Sequence, residues 1–208
     1  STWVKDIRDH GGYQGIKSDA RGHFIDDAPY ADPFDKGDMN PYTKAFWVWW
    51  PELSTELEEI RVTGGEPLMT PDIYKLFEWF DTTEEPNSKN MRLAINSNLM
   101  AKDDLLNRLI AGTQSIERFH MYTSCEAFGP QAEYIRDGLK YKTWRANLVT
   151  FLENANFRAL TIMMTINSLC LFSIVEFFED MKTLKKKYGA HRPNMDLNIL
   201  RWPSFMSP

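Results

Sequence analysis

Cysteine is the scarcest reactive residue in this chain: Cys125 and Cys170 are the only two. Two isolated thiols make neither a disulfide framework nor a metal-ligand set, so a reducing cytoplasm is the expected setting. An excess of positive charge is missing as well. Lys and Arg number 24 against 29 Asp and Glu, a net charge of -5, which removes the electrostatic basis for general nucleic-acid binding. The one basic cluster, Lys185-Lys186-Lys187 with His191 and Arg192, reads as the solvated C-terminal end of a helix, where cations oppose the dipole. No basic-then-apolar leader opens the sequence. Nor is there a clean membrane span. The nearest candidate, Ala159 to Phe178, is interrupted by Thr161, Thr165, Asn167, Ser168 and Ser173, and reads as a strand followed by an amphipathic helix, so no membrane partner is expected.

What the chain does have is enough apolar material to build a core. Of its 208 residues, 43% are hydrophobic and 25% charged, which suits one packed domain, or one and a small extension. Residues 1–55 form an irregular N-terminal segment, with a short helix over Trp3 to Asp9 stopped by Gly11-Gly12. Ser18 to Pro41 is rich in Asp, Gly and Pro and reads as a long loop; its carboxylates lack the spacing of a calcium-binding loop. Phe46-Trp47-Val48-Trp49-Trp50 is an aromatic block suited to core or lid packing, since no basic groove accompanies it.

Residues 56–208 alternate regularly. Strands are expected at Glu59 to Thr63, Met91 to Asn96, Ile116 to Thr123, Phe157 to Ile166 and Met195 to Leu200. Helices are expected at Pro71 to Phe80, Lys102 to Ala111, Gln131 to Ala155 with a break near Gly138, and Leu171 to Tyr188. The helix faces turned inward are Ile73, Leu76, Phe77 and Phe80, then Leu105, Leu106, Leu109 and Ile110, then Ile174, Val175, Phe178, Met181 and Leu184. Strand-helix alternation implies an α/β fold with a parallel sheet and right-handed crossovers. Leu160-Thr161-Ile162-Met163-Met164 reads as a strand buried on both faces. Periodicity leaves both an open sheet and a barrel possible, and in either case ligands bind at the C-terminal strand ends.

Those ends carry Thr63-Gly64-Gly65-Glu66-Pro67, Asn96-Ser97-Asn98, Thr123-Ser124-Cys125-Glu126, Asn167-Ser168 and Arg201-Trp202. Two glycines let backbone approach a ligand closely, and Glu66 adds a carboxylate that suits an ammonium group. An ordinary strand-to-helix turn with a solvated glutamate is the competing reading. His120, within an apolar strand, reads as a core histidine, and Met163 and Met164 as core residues.

Ile60-Arg61-Val62-Thr63-Gly64-Gly65-Glu66-Pro67-Leu68, followed by Pro71-Asp72, resembles the second-strand motif of radical S-adenosylmethionine enzymes. Leu93-Ala94-Ile95-Asn96-Ser97-Asn98-Leu99 resembles that family's third strand. Ser124-Cys125-Glu126-Ala127-Phe128-Gly129, with Ala132-Glu133-Tyr134-Ile135-Arg136 and Gly138, resembles the fourth strand and its helix. Thr165-Ile166-Asn167-Ser168-Leu169 resembles the fifth strand end. The likeness runs from residue 56 to about 203, and its flavour is similar to members with a twitch domain.

The resemblance implies a partial TIM-like (β/α)6 barrel whose first strand, with its three-cysteine cluster loop, is missing, so the chain is expected to be a fragment. It implies S-adenosylmethionine as cofactor and, in the parent protein, a [4Fe–4S] cluster. There the cluster cleaves the cofactor reductively, and the resulting radical abstracts hydrogen from an unknown substrate. It also implies an electron-donor protein as partner of the parent. Under this carry-over Gly64, Gly65, Glu66 and Pro67 surround the ammonium group. Ser124 and Arg136 serve the carboxylate or ribose, with a helix-surface ion pair as the other reading for Arg136. Asn167 serves the ribose or adenine, or caps a strand; Asn96 and Asn98 are further contacts. Glu126 stands where relatives carry aspartate. Cys125 and Cys170 lack the spacing to hold a cluster, so the chain is expected to be inactive as given. Two alternatives remain: a non-catalytic module for a nucleotide-like ligand or protein partner, and a hydrolase or isomerase using Glu66 with Glu126.

Overall fold

The structure, a computed structural model, describes residues 40–202 and 204–208. The short helix expected at Trp3 to Asp9 and nearly all of the loop expected up to Pro41 lie outside those residues. The chain divides into two units, Ser1–Trp50 and Pro51–Pro208, each taken by itself below.

The aromatic block sits in a helix that its Pro-rich setting conceals, α1 (Pro41–Glu56). Asn40 Oδ1 accepts the Tyr42 N–H at 2.9 Å and caps its first turn. Phe46, Trp47 and Trp50 make ring contacts with centroids 5.2–6.0 Å apart, while Val48 and Trp49 face outward. Pro51, which has no N–H to give the helix ladder, begins the second unit.

In that second unit five strands pair in chain order, every pair parallel: β1 (Glu59–Val62), β2 (Arg92–Asn96), β3 (Phe119–Ser124), β4 (Ala159–Ile166) and β5 (Asn194–Ile199). Between them run α2 (Pro71–Thr82), α3 (Asp103–Thr113), α4 (Gly129–Ile135) with α5 (Tyr141–Asn154), and α6 (Ile174–Tyr188). Each parallel neighbour requires a crossover, which the helices supply. Among the five described strands the order never reverses, so no switch point of the kind that marks doubly wound folds falls between them. The third helical stretch does break where expected, at Gly138, whose φ is +82°. Among the described residues no helix is long and apolar enough to cross a membrane.

One face of the sheet is packed and the other is polar. Phe119 on β3 meets Phe77 of α2 and Phe151 of α5, with ring centroids 6.5 and 6.2 Å apart. Trp144 Nε1 of α5 donates to Thr123 Oγ1 at 3.1 Å, satisfying two buried polar groups together. Registered partners share a face, so Leu93, Ile95, Met121, Leu160, Ile162 and Met164 join this core. Truncating Phe119, fully buried among rings, should cost about 3–5 kcal/mol.

The expectation that β4 is buried on both faces is therefore corrected. Its burial alternates, with Leu160, Ile162 and Met164 enclosed and Thr161, Met163 and Thr165 only half-buried. The open face carries one rung of Arg61, Ala94, His120 and Ala159, and a second of Asn96, Tyr122, Thr161 and Asn194. His120 lies on this open face, so it is not a core residue. Helix faces shift as well. In α6, Phe177 is enclosed with Met181 and Leu184, while Val175 is exposed and Phe178 half-buried. In α3, Leu106, Leu109 and Thr113 are buried, and Leu105 and Ile110 only half so. On β5, Leu197 and Ile199 register with Met164 and Ile166 yet are 52% and 61% exposed.

Candidate functional site

Parallel pairing brings the C-terminal ends of all five strands to one edge, and the loops there are tied to one another. After β1 the chain turns through Gly64 at φ +96°, a conformation that favours glycine. Gly65 differs. Its backbone lies outside the left-handed region, and a Cβ built on it would meet none of the described atoms within 4 Å. Among the described residues, neither strain nor packing explains that glycine.

Glu66 follows as cap of a short 3-10 turn (Pro67–Met69), and Pro67 is buried at the turn's first position. One Glu66 oxygen, Oε1, accepts the Leu68 N–H at 3.2 Å; the other, Oε2, accepts the Asn98 N–H at 2.9 Å from the loop after β2. One half-buried carboxylate thus joins two strand ends. Each of its oxygens keeps acceptor capacity after one such bond. Tyr74 Oη donates to Leu68 O at 2.7 Å beneath this turn, with the Arg108 guanidinium 3.5 Å from the tyrosine ring centroid. Burial pushes the Tyr74 phenol up.

The β2 loop is itself constrained. Ser97 is buried and its Oγ accepts the Leu99 N–H at 3.1 Å; Asn98 is exposed and its Oδ1 accepts the Met100 N–H at 2.8 Å. Asn96 is half-buried on the open face, level with Tyr122. Leu99 is the one described non-glycine residue with positive φ, +52°, and its side chain is fully buried. That conformation is uncommon and costs energy in a branched side chain. Asn147 of α5 holds it, donating from Nδ2 to Leu99 O at 2.8 Å and to Ala101 O at 3.0 Å.

After β3, Ser124 is half-buried, and the following Cys125 N–H bonds Met163 O across to β4 at 3.3 Å. Glu126 is 3% exposed and grips Arg136 at the C-cap of α4: Arg136 Nε donates to Oε2 at 2.6 Å and Nη2 to Oε1. The Arg136 side chain remains 37% exposed on its other edge. The ion-pair reading of Arg136 is thus the one the structure shows, with its partner Glu126 enclosed rather than on the helix surface. The pair also takes Glu126 out of any general acid–base partnership with Glu66, because its carboxylate is spent on the guanidinium.

The loop after β4 closes on itself. Asn167 Oδ1 accepts the Leu169 and Cys170 N–H groups at 3.0 and 3.2 Å, and its Nδ2 donates to Thr165 O at 3.1 Å. Buried and engaged at both amide ends, Asn167 caps the strand; the structure does not present it to a ligand. Both thiols are buried, the Cys125 thiol pushed up to about 12 and the Cys170 thiol also raised, in each case chiefly by burial. Burial of this kind is what disfavours the reactive thiolate form.

Of the residues expected at the site, the structure gathers Gly64, Gly65, Glu66 and Asn98 in one tied corner. Ser124 and Arg136 stand farther along the same edge, Asn96 faces the open sheet surface, and Asn167 and Pro67 serve the turns. The sequence reading passed over Asn147, an unremarkable asparagine in a helix whose partners lie 46 and 48 positions away. It also passed over the polar open face. There Glu59 binds Arg61 and Arg92, and the Arg61 guanidinium lies 5.0 Å from the Tyr122 ring centroid. The hydrogen bond from Arg92 is the main cause that holds the Glu59 carboxyl below its ordinary value. Burial, then the Arg92 charge, pushes the His120 imidazole down. Polar Arg61, His120 and Thr161, each set between two apolar neighbours, were the available signal.

Among the described residues no group of three or more His, Cys, Asp or Glu is arranged to hold a metal ion. No protein-family model matches the chain, and no curated protein does. One solved structure that it resembles is described as native anSMEcpe with bound AdoMet and Cp18Cys peptide; the two share 10% identity at a TM-score of 0.48. The match covers 68% of this chain and 37% of that one, so the chain spans little more than a third of that protein's length.

Proposed function

We propose that the corner formed by Gly64, Gly65 and Glu66 holds the aminoacyl end of S-adenosylmethionine, in a chain related to radical S-adenosylmethionine enzymes and built on part of a TIM-like barrel. The observation that carries this reading is Gly65: a glycine that its own fold does not require, next to a carboxylate with acceptor capacity to spare. Open space beside exposed backbone is what a close-bound ligand needs. An ammonium group would find acceptors at Glu66 and at the bared carbonyls of the glycine turn. The sequence resemblance over this corner supplies the identity of the ligand. The exposed edge of Arg136, oriented by Glu126, is the group suited to the ligand's carboxylate, with Ser124 close by in sequence on the same rim.

The residues present do not fit an iron–sulfur cluster. Two buried thiols 45 positions apart supply neither the number nor the spacing of ligands that a cubane takes. These 208 residues therefore serve cofactor binding, and any cluster ligands would come from outside them. A twitch module has no support in the described residues, and the substrate stays unassigned. A second reading, a binding module without catalysis, is favoured by the same lack of ligands.

Calorimetry with S-adenosylmethionine separates these from an inert chain. Gly65→Leu should weaken binding at least tenfold while changing stability by less than about 0.5 kcal/mol, since its Cβ meets none of the described atoms within 4 Å. Glu66→Gln should weaken it comparably. Equal binding by the wild type and both variants would sink the proposal.

A further inference from the structure

We infer that Asn147 is a positioning residue for the Glu66 site, acting through the strained turn at Leu99; in its bearing on cofactor binding the inference rests on the reading proposed above. The chain of contacts is short and continuous. Asn147 is 7% exposed and sits on α5, on the packed side of the sheet. Both of its Nδ2 hydrogens are committed to one loop, reaching Leu99 O and Ala101 O at 2.8 and 3.0 Å. The first of those carbonyls belongs to Leu99 itself, whose φ is +52°. A leucine held there would relax toward ordinary backbone angles if it were released. The amide immediately before the strained residue, Asn98 N–H, is the one that donates to Glu66 Oε2 at 2.9 Å.

Two elements therefore set the direction of the Glu66 carboxylate. Its own turn fixes Oε1 through Leu68, which is a local bond. The β2 loop fixes Oε2 through Asn98, and that loop is held by a helix residue distant in sequence. Losing the clamp frees one oxygen and leaves the other in place. This asymmetry separates positioning from general stability. A residue that mattered only to packing would affect both amides alike.

The test needs no ligand. Nuclear magnetic resonance of the full chain follows the Leu68 and Asn98 amide protons while acid is added. In the wild type both amides should shift together, and in Glu66→Gln that shared shift should be absent. Asn147→Asp keeps the size but cannot donate to carbonyls when ionised; Asn147→Ser keeps a single, shorter donor. In both variants the Leu68 response should persist and the Asn98 response should fall by half or more. An unchanged Asn98 response in either folded variant would overturn the inference, as would an Asn98 amide that ignores Glu66 in the wild type. Loss of the whole folded spectrum in both variants would also overturn it, because the clamp would then not be local.

A calorimetric arm with S-adenosylmethionine keeps the two proposals apart. Weaker binding by Asn147→Ser, by about threefold or more, joins the clamp to the cofactor site. If the amide result holds but no protein binds S-adenosylmethionine, the clamp stands and the assignment of the ligand falls.

Discussion

The pair Glu126–Arg136 offers the sharpest test of how the rim is held. Glu126 is enclosed, at 3% exposure, and its carboxylate is forked by Arg136 through Nε and Nη2. Removing one partner from a buried pair leaves an uncompensated charge, at about 3–5 kcal/mol. Because Arg136 is 37% exposed, solvent screens its side, and the lower end of that range is the appropriate figure. Arg136→Met fills the same volume and keeps water away from Glu126, so it should cost about 3 kcal/mol. Glu126→Met leaves a cation that can turn outward to water, so it should cost about half as much. The double variant replaces the pair with apolar groups and should be more stable than Arg136→Met alone, by roughly 1–2 kcal/mol, since no charge is left stranded. Urea unfolding with unchanged slope would read all three. A double variant no better than the sum of the two single losses would refute the account of a stranded charge.

Two further outcomes follow from other sites. Gly112 of α3 has no room for a methyl group: a Cβ there would lie 2.3 Å from the Phe77 ring. Gly112→Ala should thus be destabilising by about 1–2 kcal/mol despite the better helix propensity of alanine, and Gly112→Ala with Phe77→Leu should recover part of the loss in thermal unfolding. His120 is held below its ordinary value by burial first and by the Arg92 charge second. The unfolded chain therefore takes up this proton at higher pH than the folded one, and stability should fall as the pH drops through the ordinary histidine value of about 6.5. His120→Gln should flatten that part of the stability curve between pH 7 and 5; an unchanged slope would show that His120 is not its source.

The pattern of the second unit was legible because its elements announce themselves locally. Ile73, Leu76, Phe77 and Phe80 recur at helical spacing after a proline suited to a first turn, and they are the residues α2 buries. Gly138 marks the break between α4 and α5 with a positive φ that glycine tolerates best. The glycine-glycine-glutamate turn could be placed at a strand end from sequence because the apolar residues of the strand stop before it. Boundaries were less legible. The strand expected from Ile116 begins at Phe119, where pairing with β2 and β4 starts, and pairing belongs to the partners as much as to the strand.

The identity of the five strands and of the helices between them, and the glycine turn at residues 64 and 65, were determined by the sequence alone, since period, proline and glycine act within a few residues; the helix α1 was not. The tertiary structure decided what each polar group does. Arg136 turned to Glu126 ten positions back, Asn167 was consumed by its own turn, and His120 came to the open face because the register put it level with Arg61 and Ala94. A hydrogen bond is satisfied by whichever partner the fold brings within about 3 Å, and that choice spans distances in sequence that no local pattern records.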